Sequence, residues 1–402
     1  MNRSTCRSCD ASLQPLFSLG DLAFTGRFPE PGQSVPRGEL ELGICELCQL
    51  VQLVKSFDSS ELYREGYGYR SGINASMRSH LKSKASSLVE RYNPSSVIDI
   101  GSNDGTTLNC FVELGVNRLA GVDPLATLLG QNYHPSITTI DSLFTRGVPE
   151  IDQSEPFDLC TTISMFYDLE DPVDFARLVS EILNADGVWH LEQSYLPSML
   201  RSQGFDTICH EHIEYYSLTS LSRILEEAGF VVIRCRLNGV NGGSFEVDAV
   251  KRESDMAASV GEEVPFLLRQ EQRLGIGSPE TYFAFFDRVK SNLDDLRECL
   301  ADLSSVGLIG ALGASTKGNV LLQVGGLAEF ISAVGEVNAD KFGCVTPGTA
   351  IPIIPQDEVL NGDYHTVLIL PWHFRETFLM GTEAYRSKGG RVIFPLPFVE
   401  VV

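Results

Sequence analysis

The chain has 402 residues, 43% of them hydrophobic and 21% charged, and this length exceeds what a single hydrophobic core usually serves, so we expect two or three domains. Its formal net charge of −22 argues against general binding to nucleic acid or to anionic membranes, so we expect neither as a partner. No apolar run approaches the roughly 20 residues of a membrane-spanning helix, and the first residues lack the apolar segment of a signal peptide, so we expect a cytoplasmic protein.

Two C-x-x-C pairs stand near the start of the chain, Cys6 with Cys9 and Cys45 with Cys48. Two such pairs complete a tetrahedral site of four thiolates for zinc, and four cysteines leave no position open for catalysis. The segment between the pairs is rich in proline and glycine and offers few apolar anchors, so we expect a metal to hold it together. Chance pairs or a redox C-x-x-C are the alternatives. We predict a zinc-binding domain over residues 1–70 with a structural zinc ion.

Three tyrosines stand among glycines between Leu62 and Gly72, after the second cysteine pair. Tyrosine offers a hydroxyl group and a flat ring face to a ligand, and the glycines keep the segment adaptable. We therefore predict that this segment caps a ligand pocket. The alternative is a turn whose tyrosines pack on the neighbouring surface.

The next segment alternates helices with apolar strands. A helix is predicted over Met77–Tyr92, a β-branched strand runs into a glycine turn at Ser96–Gly105, a second helix covers Thr107–Leu114, and a second strand ends at Asp123. An acid at this position binds ribose hydroxyls in Rossmann-type sheets. Asp141 closes a third short strand.

The glycine turn is neither the G-x-G-x-x-G of NAD enzymes nor a Walker loop. Its D-x-G-x-x-x-G form resembles motif I of class I S-adenosylmethionine (SAM)-dependent methyltransferases. The resemblance implies that the loop passes the methionine end of the cofactor while Asp123 holds the ribose. Another ligand or an empty fold is the alternative. The predicted cofactor-binding residues are Asp99, Gly101, Asn103, Asp104, Gly105, Asp123 and Asp141, together with Met165 where the fourth strand ends. A domain of this kind is predicted over residues 71–253.

A polar segment, Cys209 to Ser217, contains two histidines, two glutamates and two tyrosines in nine residues. A histidine beside carboxylates can act as a general base near neutral pH, so we predict a catalytic site here. The alternative is a polar surface loop. A metalloprotease motif is excluded, because it needs histidines four residues apart on one helix face, whereas His210 and His212 are two apart.

A polar, helix-prone connector is predicted over residues 254–305, followed by a second α/β pattern over residues 306–402. Its first strand, from Val306, enters a small-residue loop from Gly313 to Asn319, and further strands are predicted at Ile331–Val337, Thr366–Leu370 and Arg391–Pro395. The loop can cradle a phosphate, with Lys317 supplying charge. The alternative is an ordinary strand-to-helix turn.

With these motifs in order, the chain resembles the TylCIII-like sugar 3-C-methyltransferases of deoxysugar biosynthesis along nearly its whole length. The resemblance is carried by the cysteine pairs, Ile98–Gly105, His210–His212, Asn241–Ser244, Gly313–Asn319 and Gly389–Arg391. It implies an α/β protein with a small zinc-binding module, a central SAM-dependent methyltransferase domain and a C-terminal Rossmann-like domain. It also implies a nucleotide-linked 4-keto-deoxysugar as substrate.

The family chemistry implies that a base removes the proton at C3, beside the ketone, and that the resulting enolate takes the methyl group of SAM. His212 matches the position of the base, and Glu211 and His210 would orient it or stabilise the enolate. The implied substrate-binding residues are Tyr67, Tyr69, Cys209, Asn241, Lys317 and Asn319.

Two departures from the family pattern leave the sugar and the reacting atom open. Cys209 stands where the family often has tyrosine, and Met165–Asp168 stands where several members have histidine. The alternatives are a SAM-dependent O- or N-methyltransferase, a C-methyltransferase of a non-sugar ketone, and a SAM-binding scaffold without activity. The sequence gives no indication of the oligomeric state.

Overall fold

The computed structural model describes residues 3–57, 70–148 and 154–402. In these residues the chain forms a four-stranded, a seven-stranded and a six-stranded sheet. The two larger sheets are α/β units of mostly parallel strands, in agreement with the predicted fold class.

The N-terminal module contributes β1 (Leu13–Ala23), β2 (Arg37–Cys45) and β3 (Val51–Leu53), which pair in antiparallel order. Leu40 and Leu42 on β2 are fully buried, because alternate residues of a strand face the same side. On β1, the ring of Phe17 stacks on Phe286 at a centroid distance of 4.5 Å. The expectation of few apolar anchors in this module is therefore wrong: its two long strands bury an apolar face against the C-terminal half of the chain.

The central part of the chain supplies the largest sheet and its helices. In chain order it contains α1 (Ala75–Tyr92), β4 (Ser96–Ile100), α2 (Thr106–Glu113), β5 (Arg118–Val122), β6 (Ile137–Ile140), β7 (Phe157–Ile163), α3 (Pro172–Ile182), β8 (Leu183–Ser194), α4 (Leu196–Ser202), β9 (Glu214–Tyr215), α5 (Leu218–Glu227), β10 (Phe230–Asn238) and β11 (Ser244–Lys251).

The strand order of this sheet is β10-β11-β8-β7-β4-β5-β6. Strands β4 to β8 run parallel, and β11 is antiparallel to both β8 and β10. The chain changes direction across the sheet between β4 and β7, since β5 and β6 lie on one side of β4 and β7 and β8 on the other. Ligands of open α/β sheets bind outside the carboxyl ends of the strands at such a point.

The C-terminal part begins with two helices and then forms the third sheet. It contains α6 (Glu263–Leu274), α7 (Pro279–Ser304), β12 (Leu308–Leu312), α8 (Thr316–Val324), β13 (Ile331–Glu336), β14 (Ile353–Pro355), α9 (Gln356–Asn361), β15 (Tyr364–Ile369), α10 (Arg375–Gly381), α11 (Glu383–Ser387), β16 (Arg391–Phe394) and β17 (Glu400–Val401). The strand order is β14-β13-β12-β15-β16-β17, and only the last pair is antiparallel. Across the part of the chain that the structure describes, no helix is both long enough and apolar enough to cross a membrane.

Strand β9 leaves the central unit and joins the N-terminal sheet instead. It pairs antiparallel with β3, with Tyr215 opposite Val51 and Glu214 opposite Gln52. The N–H of Leu53 donates to the carbonyl of Ile213 at 2.8 Å. The polar segment that contains His210 and His212 is thereby fixed to the N-terminal sheet at its carboxyl end.

Candidate active site

A cavity of about 400 Å³ lies at the carboxyl ends of β4, β5 and β7, at the point where the strand order reverses. Of the eight predicted cofactor-binding residues, five line it: Asp99, Gly101, Asn103, Asp123 and Met165. Gly101 has φ +77°, and a Cβ atom there would lie 2.8 Å from Cγ of Met165. A glycine is therefore required where the first strand enters the loop.

Asp99 and Asp123 are two buried carboxylates that line this cavity. Asp123 accepts hydrogen bonds from the backbone N–H groups of Asn103 at 2.9 Å and Leu125 at 2.8 Å, yet burial raises its pKa. Asp99 accepts a 2.6 Å bond from the hydroxyl of Thr161, and burial raises the pKa of Asp99 to about 7. Such carboxylates suit a ligand with ribose hydroxyls and an ammonium group, and the volume suits a ligand of nucleoside size. The residues present therefore fit SAM.

The other three predicted residues do not line the cavity. Asp104 accepts from the N–H of Gly72 at 2.8 Å, which ties the loop to the segment before α1. Gly105 has φ +74°, and a Cβ atom there would lie 2.7 Å from the ring of Tyr133. Asp141 is exposed and directly precedes four residues, 142–145, that do line the cavity.

The four cysteines of the N-terminal pairs come together as predicted. Cys6 and Cys48 have their sulfur atoms 3.4 Å apart, as do Cys9 and Cys45, and all four sulfur atoms lie within 4.8 Å of one another. A tetrahedral ion with Zn–S bonds of about 2.3 Å separates its ligands by about 3.8 Å, so the four thiols can close on one zinc ion. Gln52 donates from Nε2 to the sulfur of Cys6 at 3.3 Å, which favours a thiolate.

His210 lies in the N-terminal module and not at the cofactor cavity. Its ring packs between Phe24 and Phe57 at centroid distances of 4.6 and 4.8 Å, and its Nε2 donates to the carbonyl of Gly38 at 3.1 Å. The side chain is fully buried, and burial lowers the pKa of His210 to about 4. It is a neutral residue that attaches the polar segment to β2.

Glu211 also points towards the N-terminal module. The N–H of Gly26 donates to its carboxyl group, and a Cβ atom at Gly26 would collide with Oε1 of Glu211. Burial raises the pKa of Glu211 despite this hydrogen bond and the nearby charge of Arg27. The close approach of the loop requires glycine at position 26.

His212 is the residue of the predicted catalytic trio that faces the central unit. Its Nδ1 lies 3.1 Å from the carbonyl of Thr207, which can only accept, so Nδ1 carries the proton and Nε2 keeps its lone pair. Burial, together with the positive charge of Lys317, lowers the pKa of His212 to about 4. The imidazole is therefore neutral at pH 7 and can accept a proton at Nε2.

A single turn connects His212 to the cofactor cavity. The ring of Tyr167 lies 4.4 Å from that of His212, and the carbonyl of Tyr167 accepts the N–H of Ile213 at 3.0 Å. The residues Met165 and Asp168 of the same turn line the cavity. The end of the fourth parallel strand thus contacts both the cofactor cavity and the candidate base.

The C-terminal unit contributes charged and aromatic residues to the surroundings of His212. Lys317, in the first turn of α8, donates from Nζ to the carbonyl of Asn241 at 2.7 Å. It interacts electrostatically with Asp206 and with His373, and burial and this charge lower the pKa of His373. Asp206 accepts from the indole N–H of Trp372 at 2.8 Å.

Sequence reasoning missed Asp206 and His373, whereas Tyr167 lies within Met165–Asp168, a range that the sequence had already singled out. His373 follows the carboxyl end of β15, and that position in a parallel sheet was the available signal. Asp206 had no comparable signal, since it reaches the site through a short turn.

The remaining predicted substrate residues differ in their placement. Cys209 is fully buried, and burial raises its pKa well above the ordinary value. Asn319 is also fully buried, and its amide donates to the carbonyl of Thr25 at 2.7 Å, which ties α8 to the N-terminal module. Tyr67 and Tyr69 lie outside the described residues.

Comparison with known proteins gives consecutive matches along the chain. The matching family models are described as "Putative zinc binding domain" over residues 6–63, "Methyltransferase domain" over residues 77–234 and "C-methyltransferase C-terminal domain" over residues 239–397. C-methyltransferase NovU from Streptomyces niveus is 29% identical over 374 residues, which cover 90% of this chain and 87% of NovU.

Solved structures give partial matches. The CcbJ methyltransferase from Streptomyces caelestis is 12% identical, with 42% of this chain and 89% of CcbJ covered and a TM-score of 0.34. The glycopeptide N-methyltransferase MtfA complexed with SAM is 15% identical, with coverage of 42% and 93% and a TM-score of 0.32. Such low scores add nothing to the family assignment.

The order of the family matches is the order of the four-cysteine cluster, the cofactor cavity and the C-terminal sheet. NovU aligns across all three. SAM is the cofactor that the methyltransferase domain uses, and the zinc is structural because its four ligands close the coordination sphere. These matches fit the TylCIII-like sugar C-methyltransferase family, and the chain is a SAM-dependent C-methyltransferase.

Proposed function

We propose that this enzyme methylates C3 of a nucleotide-linked 4-keto-deoxysugar and that His212 is the base. Carbon is a weak nucleophile, so a C-methyltransferase needs a substrate whose C–H bond is acidic. A ketone on the neighbouring carbon supplies that acidity, because the charge left at C3 spreads onto the ketone oxygen. The family match over residues 239–397 supports a carbon acceptor.

The hydrogen bond from Nδ1 of His212 to Thr207 carries this proposal. It selects the tautomer in which Nε2 accepts, and the low pKa keeps that nitrogen unprotonated at neutral pH. In the proposed role, His210 and Glu211 are positioning residues. They fasten the segment to the N-terminal sheet so that His212 remains beside the turn of Tyr167.

The proposed reaction has two steps. Nε2 of His212 takes the proton from C3, and the C–H electron pair becomes the C3–C4 double bond of an enolate with its negative charge on O4. SAM supplies a methyl group bound to a positively charged sulfur, and C3 forms its new bond to that carbon as the bond to sulfur breaks. The imidazolium of His212 then releases its proton to water, which restores the base.

We place the sugar nucleotide in the cleft between the central and C-terminal sheets. His212 and Lys317 are both partly buried, and the charge of Lys317 acts on His212. Asn241 and Cys209 adjoin Lys317, and we retain them with Asn319, Tyr67 and Tyr69 as proposed substrate residues.

The domain boundaries are likewise proposed: a zinc-binding domain over residues 1–70, a methyltransferase domain over 71–253, a helical connector over 254–305 and a substrate-binding domain over 306–402.

The ten cysteines are all unbridged, which suits a reducing compartment, and we propose that the enzyme works in the cytoplasm.

The test is hydrogen exchange without methyl transfer. A 4-keto-deoxysugar nucleotide is incubated with the enzyme in D2O in the absence of SAM, and deuterium at C3 is followed by NMR. We expect wash-in with the unaltered enzyme and loss of wash-in with His212→Asn. No wash-in with the unaltered enzyme, or a methyl group found on oxygen or nitrogen once SAM is added, would refute the proposal.

A further inference from the structure

Lys317 is a partly buried cation whose positive charge is not neutralised by direct contact with a carboxylate of the described residues. Its one hydrogen-bond acceptor in that part of the chain is the carbonyl of Asn241, at 2.7 Å from Nζ. No carboxylate in the described ranges forms an ion pair with it, although Asp206 lies close enough to interact electrostatically. An ammonium group has three N–H donors, so Lys317 retains donors for an anion that binds in the cleft.

The titratable groups that face Lys317 come from three elements. Asp206 belongs to the turn Phe205–Thr207, Cys209 and His212 to the polar segment, and His373 to the turn Trp372–Phe374. Cys209 is a buried thiol with a raised pKa and offers no charge. Both histidines are held neutral. Among the described residues, Lys317 is therefore the positive charge that acts on the candidate base, and burial lowers its own pKa.

The position of this charge distinguishes between two anions of the proposed substrate. In the proposed complex, C3 lies beside Nε2 of His212. The ketone oxygen O4 is two bonds away from C3, whereas the nearest phosphorus is four bonds away through C2, C1 and the glycosidic oxygen. Lys317 stands on α8, which packs against the turn Phe205–Thr207, and the carbonyl of Thr207 binds Nδ1 of His212 at 3.1 Å. Lys317 is thus close to the reacting carbon and better placed for O4 than for a phosphate.

We propose that Lys317 is a catalytic residue that donates a hydrogen bond from its ammonium group to O4 and stabilises the enolate formed when His212 removes the C3 proton. This role rests on the proposed function. Asn241 fixes Nζ through its carbonyl, so the donor is oriented before charge develops on O4. From the sequence we predicted that the loop of Lys317 cradles a phosphate. In the role proposed here, other groups bind the diphosphate.

The experiment compares Lys317→Met with Lys317→Arg in the SAM-free exchange assay. Loss of one donor to a developing oxyanion slows enzymes by about 10²–10³-fold, so we expect a decrease of that size in C3 wash-in for Lys317→Met and a smaller one for Lys317→Arg. The affinity for the corresponding nucleoside diphosphate should stay unchanged in both variants. The pKa of His212, followed by NMR, should rise from about 4 in Lys317→Met because the neighbouring positive charge is gone.

Lys341→Met is the matched control. Lys341 is likewise a partly buried lysine of the C-terminal unit with a pKa that burial lowers. Its Nζ donates to the carbonyl of Ala314 at 2.7 Å and lies 4.0 Å from a carboxylate oxygen of Glu336. It lies over the ring of Phe28, and within the described ranges it does not act on the pKa of His212. We expect this variant to keep both the wash-in rate and the pKa of His212, whatever its effect on stability.

Three results would overturn the role of Lys317. Equal wash-in for Lys317→Met and the unaltered enzyme would remove it from the enolate step. Weaker binding of the nucleoside diphosphate with an unchanged wash-in rate would assign Lys317 to phosphate binding instead. Absence of wash-in in the unaltered enzyme would reject the proposed function itself, and that outcome is recognised without any variant.

Discussion

His210 and His212 stand two residues apart with similarly lowered pKa values. The variant His210→Gln tests whether His210 has a structural or a catalytic role. His210 is fully buried and neutral, with a pKa of about 4 in the folded chain. In the unfolded chain its pKa returns to about 6.5. As the pH falls, the unfolded state takes up this proton first, so the stability that neutral His210 provides is lost between about pH 6.5 and about pH 4.

The size of the effect follows from that difference. A pKa shift of about 2.5 units corresponds to about 3.4 kcal/mol once the pH is below both values, and lowering the pH from about 7.5 to about 5.5 removes about 1.3 kcal/mol of it. Glutamine can still donate to the carbonyl of Gly38 but does not titrate. We therefore expect the free energy of unfolding of the unaltered enzyme to fall by about 1.3 kcal/mol more than that of His210→Gln over this interval.

Urea unfolding followed by tryptophan fluorescence at both pH values provides the measurement. Subtracting the two proteins removes the contribution of every other titrating group, His212 included. We also expect His210→Gln to keep methyl transfer within a few-fold. An equal pH dependence in both proteins, or loss of turnover in a stable His210→Gln, would contradict a purely positioning role.

Three further predictions concern the base, the metal and the cofactor loop. His212→Asn retains an amide donor in place of Nδ1 but lacks Nε2, so we expect kcat to fall by about 10²–10⁴-fold with SAM affinity unchanged by calorimetry; retained turnover would exclude the base. Cys45→Ser should lower the zinc content measured by mass spectrometry below one ion per chain and lower Tm, and full zinc occupancy would argue against the four-cysteine site. Gly101→Ala, whose Cβ would lie 2.8 Å from Cγ of Met165, should weaken SAM binding by about tenfold. Gly115→Ala has a similar φ of +80° with nothing within 4 Å, so equal weakening there would attribute the loss to strain alone.

The cofactor half of the site was accessible from the sequence because its determinants are local. The strand, the glycine turn and the acid of the next strand follow one another within about 25 residues, and a parallel sheet brings their ends to one edge. The cysteine pairs are equally local, since each C-x-x-C presents two thiolates by itself.

The other half could not be predicted in the same way, because it depends on pairings between distant residues. The strand Glu214–Tyr215 is too short to have a pattern of its own and exists only because it pairs with Val51 and Gln52. The roles of His210 and Asn319 also depend on backbone carbonyls of the N-terminal module, which no side-chain motif marks.

The insertion of β9 into the N-terminal sheet has a consequence for the exchange of parts between related enzymes. A chimera joined near residue 70 would take β1 to β3 from one parent enzyme. It would take β9, the strand that completes their sheet, from the other parent. Mismatched side chains at Val51 and Tyr215 would then move His212, although every catalytic residue was retained. Substrate range is therefore best transferred with two pieces together, residues 1–70 and residues 203–217, so that the proposed base keeps the sheet that positions it.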